Sequence, residues 1–229
     1  MKAIQVFLEL GQKRVFAGAL DWPGWCRSGR DEASALQALV DYAPRYASAL
    51  QPLEIEFQVP LAPADLSVIA RYAGSATTDF GAPGIIPEAD REPLDPPEFD
   101  RLQKILLAGW GAFDYSVQLA VFKELRKGPR GGGRDLDALL EHVLDAEQAY
   151  LGRLAWKFKP NTAPDALAAL NQTRQAVQAA LAAGMHGDLP VQGPRGGRVW
   201  PLRYYIRRSA WHVLDHAWEI EDRLMDRMP

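Results

Sequence analysis

The sequence predicts an α+β protein in which a small N-terminal ββαβ unit precedes a four-helix bundle. Apolar residues near the N-terminus fall in short runs and alternations typical of strands, whereas beyond about residue 97 they recur four times with the period of an α-helix. A proline-rich stretch between the two carries neither pattern. The predicted segments are an α+β unit at 1–65, a connection at 66–97 and a four-helix bundle at 98–229.

The first segment contains the elements of a ββαβ unit in order. Residues 3–10 and 14–20 are rich in apolar residues and flank a Gly-Gln-Lys turn, which predicts a hairpin. Helical spacing predicts a helix over 31–50, and the alternation of apolar with polar residues over 53–59 predicts a further strand. The connection that follows contains at most a weak strand or helix at 66–72.

The bundle is predicted from four amphipathic runs separated by breaks that are rich in glycine and proline. Asp135 is placed to cap the second helix. Pro164 and Pro201 open the third and fourth helices, where a proline in the first turn sacrifices no intrahelical hydrogen bond. The predicted helices span residues 98–127, 136–158, 164–183 and 201–225.

Composition and charge exclude several classes of protein. The chain of 229 residues has 26 basic and 29 acidic side chains and no long basic block, so nucleic acid is not an expected partner. Its single cysteine, Cys26, excludes an intramolecular disulfide framework. Because the chain shows neither a signal segment nor an apolar run of roughly 18 residues, we expect a cytoplasmic protein with no membrane partner.

Three of the four histidines are candidates for a metal site. His212 and His216 are four residues apart, so on a helix their rings lie about 40° apart on one face and can reach one ion. His142 lies in a different predicted helix. Three protein ligands leave a coordination position open, which is typical of a catalytic rather than a structural site. The alternative is that these are hydrogen-bonding histidines at the edge of the core.

Two polar residues interrupt an apolar line on the first predicted helix of the bundle. Asp114 and Gln118 lie in register with the apolar residues of that helix, and burying an unpaired carboxylate is costly. One hypothesis is that either residue accepts a hydrogen bond from a ligand imidazole and orients it. The alternatives are that the helix faces solvent at this point, or that Asp114 pairs with an arginine.

The segments that carry the histidines resemble the DinB-like superfamily, over residues 98–229. The resemblance rests on Leu-Leu-Glu-His at 139–142 and on Ala-Trp-His-Val-Leu-Asp-His at 210–216. It implies a four-helix bundle that binds a divalent metal ion, zinc or nickel. The ligands that the resemblance implies are His142, His212 and His216. Many family sequences continue with further histidines, whereas this chain has Ile220 one turn later, which cannot bind a metal.

The same resemblance suggests a function, because some members are similar to thiol-dependent transferases that use mycothiol or bacillithiol. We therefore expect a metal-assisted thiol S-transferase whose partners are a low-molecular-weight thiol and a small electrophile. A metal ion lowers the pKa of a thiol that binds to it, which produces a thiolate nucleophile. Arg208 and Arg223 lie on the histidine face of the last helix and are candidates to bind an anionic substrate.

The N-terminal segment has a resemblance of its own. Leu-Asp-Trp-Pro-Gly-Trp-Cys at 20–26, followed by a helix that opens with Gly-Arg-Asp-Glu-Ala at 29–33, resembles the HicB-like pattern over residues 1–60. HicB-like domains are small modules of antitoxins and related proteins, although no DNA-binding tail is evident here. This supports an alternative function, a non-catalytic, stress-associated binding module whose N-terminal domain contacts a protein partner. A homodimer is compatible with either function.

Overall fold

The predicted α+β class is confirmed by the structure, a computed structural model that describes residues 3–127, 133–193 and 197–224. The chain divides into two compact units. We call them the sheet unit, Met1–Gly109 with Ile206–Trp211, and the helical unit, Trp110–Tyr205 with His212–Pro229. In the part of the chain that the structure describes, no helix is both long enough and apolar enough to span a bilayer.

The sheet unit is built on four strands in the order β3-β2-β1-β4. β1 and β2 form the predicted antiparallel hairpin, while β4 pairs with the other edge of β1 in parallel. The central strand β1 is therefore hydrogen-bonded on both sides, and its middle residues are buried. The strands are β1 (Ile4–Leu10), β2 (Val15–Ala19), β3 (Cys26–Gly29) and β4 (Leu66–Ala73).

The single helix predicted over 31–50 is two helices in the structure. The first, α1 (Glu32–Asp41), is capped by Asp31, whose side chain accepts a hydrogen bond from the backbone N–H of Ser34. The second, α2 (Ala43–Leu50), starts with Pro44 in its first turn. Proline has no N–H to continue the hydrogen bonds of the preceding helix but is well suited to open a new one.

The strand predicted at 53–59 is absent, and the fourth strand is β4 instead. Phe57 is held by aromatic packing, with its ring centroid 4.8 Å from that of Trp22 and 5.1 Å from that of Tyr46. The alternating pattern therefore reflects side chains that face an apolar surface, not backbone pairing. Because β4 (Leu66–Ala73) belongs to the sheet, the sheet extends beyond residue 65, where the sequence predicts that the α+β unit ends.

The predicted connection at 66–97 is ordered beyond β4. It contains a short helix, α3 (Ala76–Phe80), and is anchored to the sheet by the fully buried carboxylate of Glu9 on β1. That carboxylate accepts hydrogen bonds from the hydroxyl of Thr78 and from the backbone N–H groups of Gly84, at 3.0 Å, and Ile85, at 3.1 Å. A buried carboxylate with several donors is the expected way to satisfy a charge inside a fold.

Four long helices follow, as predicted, but most of them begin and end at residues other than the predicted ones. The first two stop earlier than expected because Phe122 and Ala155, just beyond them, adopt left-handed backbone conformations with φ of 63° and 55°. Met225, the last residue of the predicted fourth helix, lies outside the described residues. The helices are α4 (Pro96–Ala120), α5 (Leu136–Arg153), α6 (Ala166–Met185) and α7 (Leu202–Arg223); α4 and α7 contribute residues to both units.

Polar contacts link the four helices within the helical unit. Arg174 on α6 donates to Asp114 on α4 at 2.7 Å and to Glu147 on α5 at 3.3 Å. The hydroxyl of Ser116 on α4 donates to Glu221 on α7 at 2.9 Å. Glu147 and Arg174 are both almost completely buried, so this ion pair lies in the interior of the bundle.

The interior ion pair makes stability depend on pH. Burial raises the pKa of Glu147 to about 7, and the nearby Asp114 opposes the lowering effect of Arg174. The folded protein therefore binds this proton more tightly than the unfolded chain, whose value is near 4.5. Its stabilising effect is complete below about pH 4.5 and is lost as the pH rises to about 7.

We expect Glu147→Gln to remove this component of the pH dependence. In urea denaturation between pH 4.5 and 8, the free energy of unfolding of the natural protein should fall relative to the variant, by up to about 3 kcal/mol. Comparing the two proteins cancels the titration of all other groups. A difference between them that does not change with pH would contradict the prediction.

Candidate metal centre

The structure brings the three predicted ligands together in the helical unit. His142 comes from α5, and His212 and His216 come from consecutive turns of α7. One ligand nitrogen from each ring lies within 4.8 Å of the others. The ring centroids are 5.2 Å apart for His142 and His212, 4.9 Å for His142 and His216, and 4.6 Å for His212 and His216.

Helix amphipathicity explains how the rings meet. His212 and His216 flank the buried residues Val213 and Ala217 of α7, and both imidazoles are themselves buried, with 7% and 8% of each residue exposed. His142 precedes the buried Val143 on α5 and is only half-buried. The cluster is thus enclosed on the α7 side and more accessible at His142.

Glu219 determines which nitrogen of His216 is available. Its Oε2 lies 2.8 Å from Nδ1 of His216. Hydrogen bonds from His216 and Arg223 hold the pKa of Glu219 below its usual range, so the carboxylate is ionised and accepts only. Nδ1 of His216 must therefore carry the proton, which leaves Nε2 as the lone-pair donor. A carboxylate behind a histidine is the arrangement that orients metal-binding imidazoles in proteins.

Arg223 supports that carboxylate. Its Nη1 donates to Oε1 of Glu219 at 2.6 Å. Its Nε donates to the carbonyl of Arg126 at 3.0 Å, and its Nη2 to the carbonyl of Arg134 at 2.6 Å. Each of the three guanidinium nitrogens therefore donates a hydrogen bond within the chain, and Nη1 supports the carboxylate that contacts His216. The substrate-binding role expected for Arg223 stays a prediction.

The structure also gives contacts for the other sequence-predicted site residues. Arg208 belongs to the sheet unit, where it donates to the carbonyl of Pro83. Asp114 pairs with Arg174 at 2.7 Å, which is one of the alternatives that the sequence leaves open, and Gln118 is exposed. The hydrogen-bonding role predicted for Asp114 or Gln118 is filled at His216 by Glu219. Its position three residues after His216, on the same helix face, was the available signal.

The imidazole of His142 is disposed to remain neutral. Burial lowers its pKa, and the nearby His216 and Arg134 lower it further, against the opposite effect of Glu219 and Asp145. A metal ion binds the neutral form of histidine. His142 therefore presents an uncharged nitrogen donor at neutral pH.

An aromatic group borders the histidines. The ring of Tyr150 on α5 is 5.7 Å from that of His212 and 5.4 Å from that of Trp200. Trp200 in turn contacts Tyr204 at 4.9 Å, edge to face. Tyr150 and Trp200 are half-buried and Tyr204 is buried, so the aromatic side chains form one wall beside the site.

Comparisons of the chain with protein-family models, curated proteins and solved structures find no match. The DinB-like and HicB-like resemblances therefore remain predictions. What supports a metal centre is the local geometry of three imidazoles and a carboxylate.

We expect Glu219→Gln to weaken metal binding without abolishing it. The amide keeps the shape of the side chain but loses the negative charge that accepts the hydrogen bond from Nδ1 of His216. Loss of such an outer partner costs roughly 10–100-fold in metal affinity. Isothermal titration with Zn²⁺ would measure this. Glu141→Gln, at an exposed position on α5, is the matched control and should bind as the natural protein does. Equal affinity in all three proteins would contradict the role given to Glu219.

Proposed function

We propose that this protein binds a divalent metal ion through His142, His212 and His216 and uses it in a thiol-dependent transfer reaction. The observation that carries the proposal is the convergence of one nitrogen from each imidazole within 4.8 Å, with the ionised Glu219 hydrogen-bonded to one ring. If the three histidines only formed hydrogen bonds at the edge of the core, their nitrogen atoms would not need to converge on one point.

The chemistry of these donors fits zinc or nickel. Both ions accept imidazole nitrogen readily. Three neutral ligands from two helices also leave room for a ligand from solution, as in catalytic zinc sites, whereas structural sites use four protein ligands. The predicted resemblance to the DinB-like superfamily over residues 98–229 agrees with this choice.

The proposed reaction joins a low-molecular-weight thiol to a small electrophile. A bound divalent ion would lower the pKa of the thiol, so that it is available as thiolate near neutral pH. The sulfur forms a bond to an electrophilic carbon, the bond from that carbon to its leaving group breaks, and the leaving group departs with the bonding electron pair. The thiol proton passes to water, so no oxidant or reductant is consumed.

The residues of this chain would hold and shield the reacting groups. Glu219 keeps the proton on Nδ1 of His216, and Arg223 keeps Glu219 ionised and in place. The buried position of His212 and His216 limits access of water on the α7 side. Tyr150 and Trp200 offer an apolar surface for the electrophile next to His212.

Metal analysis of the purified protein is the first test, followed by reconstitution with Zn²⁺ or Ni²⁺. We expect one ion per chain. Failure to bind either ion after reconstitution would overturn the proposal. Thiol transfer to 1-chloro-2,4-dinitrobenzene would then be followed with the metal-loaded and chelator-treated protein. A rate that does not depend on the metal would overturn the enzymatic part and favour the alternative of a non-catalytic binding module.

A further inference from the structure

The backbone of residues 55–59 in the sheet unit has no partner strand. The sequence predicts a strand here, yet within the described part of the chain none of their N–H or carbonyl groups takes part in a backbone hydrogen bond. The side chains at 55, 57 and 59 are half-buried and those at 56 and 58 are exposed. This two-residue period of burial is that of an extended chain, so the segment has the pattern of an unpaired edge strand.

An aromatic side chain anchors the segment to the sheet unit. The ring of Phe57 packs edge to face on three rings, with centroid distances of 4.8 Å to Trp22, 5.0 Å to Trp25 and 5.1 Å to Tyr46. Trp25 and Tyr46 are fully buried. The segment is therefore held in place before any partner binds, which reduces the entropy lost on binding.

The segment and α2 line a groove of about 500 Å³. α2 and its C-cap contribute Ala47, Ser48 and Gln51. The lining also contains two exposed carboxylates, those of Glu54 and Glu56, and none of the described residues that line the groove is basic. A cationic partner is therefore attracted to this groove and an anionic one is repelled.

The charges also indicate which kind of strand fits. If two copies of the segment paired antiparallel about its centre, Glu54 and Glu56 of one copy would lie beside the same residues of the other, and like charges on neighbouring strands are destabilising. A strand in which lysine or arginine alternates with apolar residues would instead place its cations beside the two glutamates. Its apolar side chains would then extend the row formed by Ile55 and Phe57.

We propose that residues 55–59 bind an extended segment of a partner protein, with alternating basic and apolar residues, by adding it as a neighbouring strand. Hydrogen bonds between the two backbones would supply affinity, and the pairing of cations with Glu54 and Glu56 would supply specificity. This inference goes beyond the proposed metal-dependent function and does not rest on it. It assigns a protein-binding surface to the sheet unit.

Three synthetic peptides test the inference with the whole chain. The first repeats Lys-Val three times, the second repeats Glu-Val three times, and the third is the first with its backbone nitrogens methylated, so that it cannot donate hydrogen bonds. By fluorescence anisotropy, we expect the second and third to bind at least roughly tenfold more weakly than the first. The first should also slow hydrogen exchange at the amides of residues 55–59.

Three results would overturn strand addition by a basic segment. They are no binding of the Lys-Val peptide, equal binding of its methylated form, and binding without slower exchange over 55–59. A fourth is slower exchange over 55–59 as the protein concentration rises without peptide, which would show that a second copy of the chain occupies the segment instead.

A double variant tests the two glutamates. Glu54→Gln with Glu56→Gln should weaken binding of the Lys-Val peptide roughly tenfold, because each cross-strand ion pair contributes a factor of about 2–5. The control is Glu88→Gln with Glu92→Gln, which changes the net charge equally at exposed positions of the sheet unit outside the groove lining. It should bind as the natural protein does. Equal weakening in both double variants would indicate unspecific attraction and overturn the proposal.

Discussion

Replacing His216 by alanine is expected to abolish tight metal binding. The substitution removes one of three donors, so the loss of Zn²⁺ affinity should exceed the roughly 10–100-fold expected when only the outer partner Glu219 is altered. His142→Ala and His212→Ala should have equally large effects, because each leaves two donors. Isothermal titration and metal content after dialysis would measure the loss.

The fourth histidine provides the control. His186 is exposed at the end of α6, so His186→Ala removes an imidazole without touching the cluster. It should bind Zn²⁺ as the natural protein does. If all four variants lose affinity equally, or none does, the three-histidine site is wrong. Circular dichroism of each variant would show whether a loss of metal is accompanied by a loss of helix.

The second large effect is expected at Arg174. Arg174→Met should destabilise the protein by about 3–5 kcal/mol at pH 8, since it leaves the carboxylate of Glu147 without its counter-ion in the bundle interior. The side chain of Glu147 is 2% exposed, whereas that of Asp114 is 39% exposed and can be solvated. Urea denaturation would measure the change in the free energy of unfolding.

Two further variants distinguish this explanation from a simple loss of packing. Asp114→Asn changes the more exposed partner and should cost no more than about 1 kcal/mol. Adding Glu147→Leu to Arg174→Met should restore much of the lost stability, because the unpaired buried group is then removed. A double variant as unstable as Arg174→Met alone would contradict the role assigned to the buried charge.

The helices were the most predictable part of the fold. Their apolar period extends over many residues, so the four runs in the second half of the sequence indicated α4 to α7 and, through Asp135, the start of α5. Helix ends were less predictable, since a left-handed residue such as Phe122 has no strong sequence signal. Strands were still harder to predict. Apolar and polar residues alternate over 53–59, yet this segment pairs with no strand, whereas they scarcely alternate over Leu66–Ala73, which pairs with β1.

The candidate site likewise contains residues that the sequence could predict and contacts that only the structure shows. The spacing of His212 and His216 is local, because a helix places residues four apart on one face whatever surrounds it. Glu219, three residues further on, could have been recognised by the same reasoning. By contrast, the contacts of Arg223 with the carbonyls of Arg126 and Arg134 join residues far apart in the chain, and no local spacing predicts them.

By itself, the sequence determined the α+β class, the helical second half and the pair of histidines on α7, because these depend on the period of a single element. Only the tertiary structure decided that His142 meets that pair, that Arg174 pairs with Asp114, and that Arg223 donates to the carbonyl of Arg134. The physical reason is that these relations join residues far apart in the chain. They depend on how helices pack and on which buried charges find partners, and no local spacing encodes either.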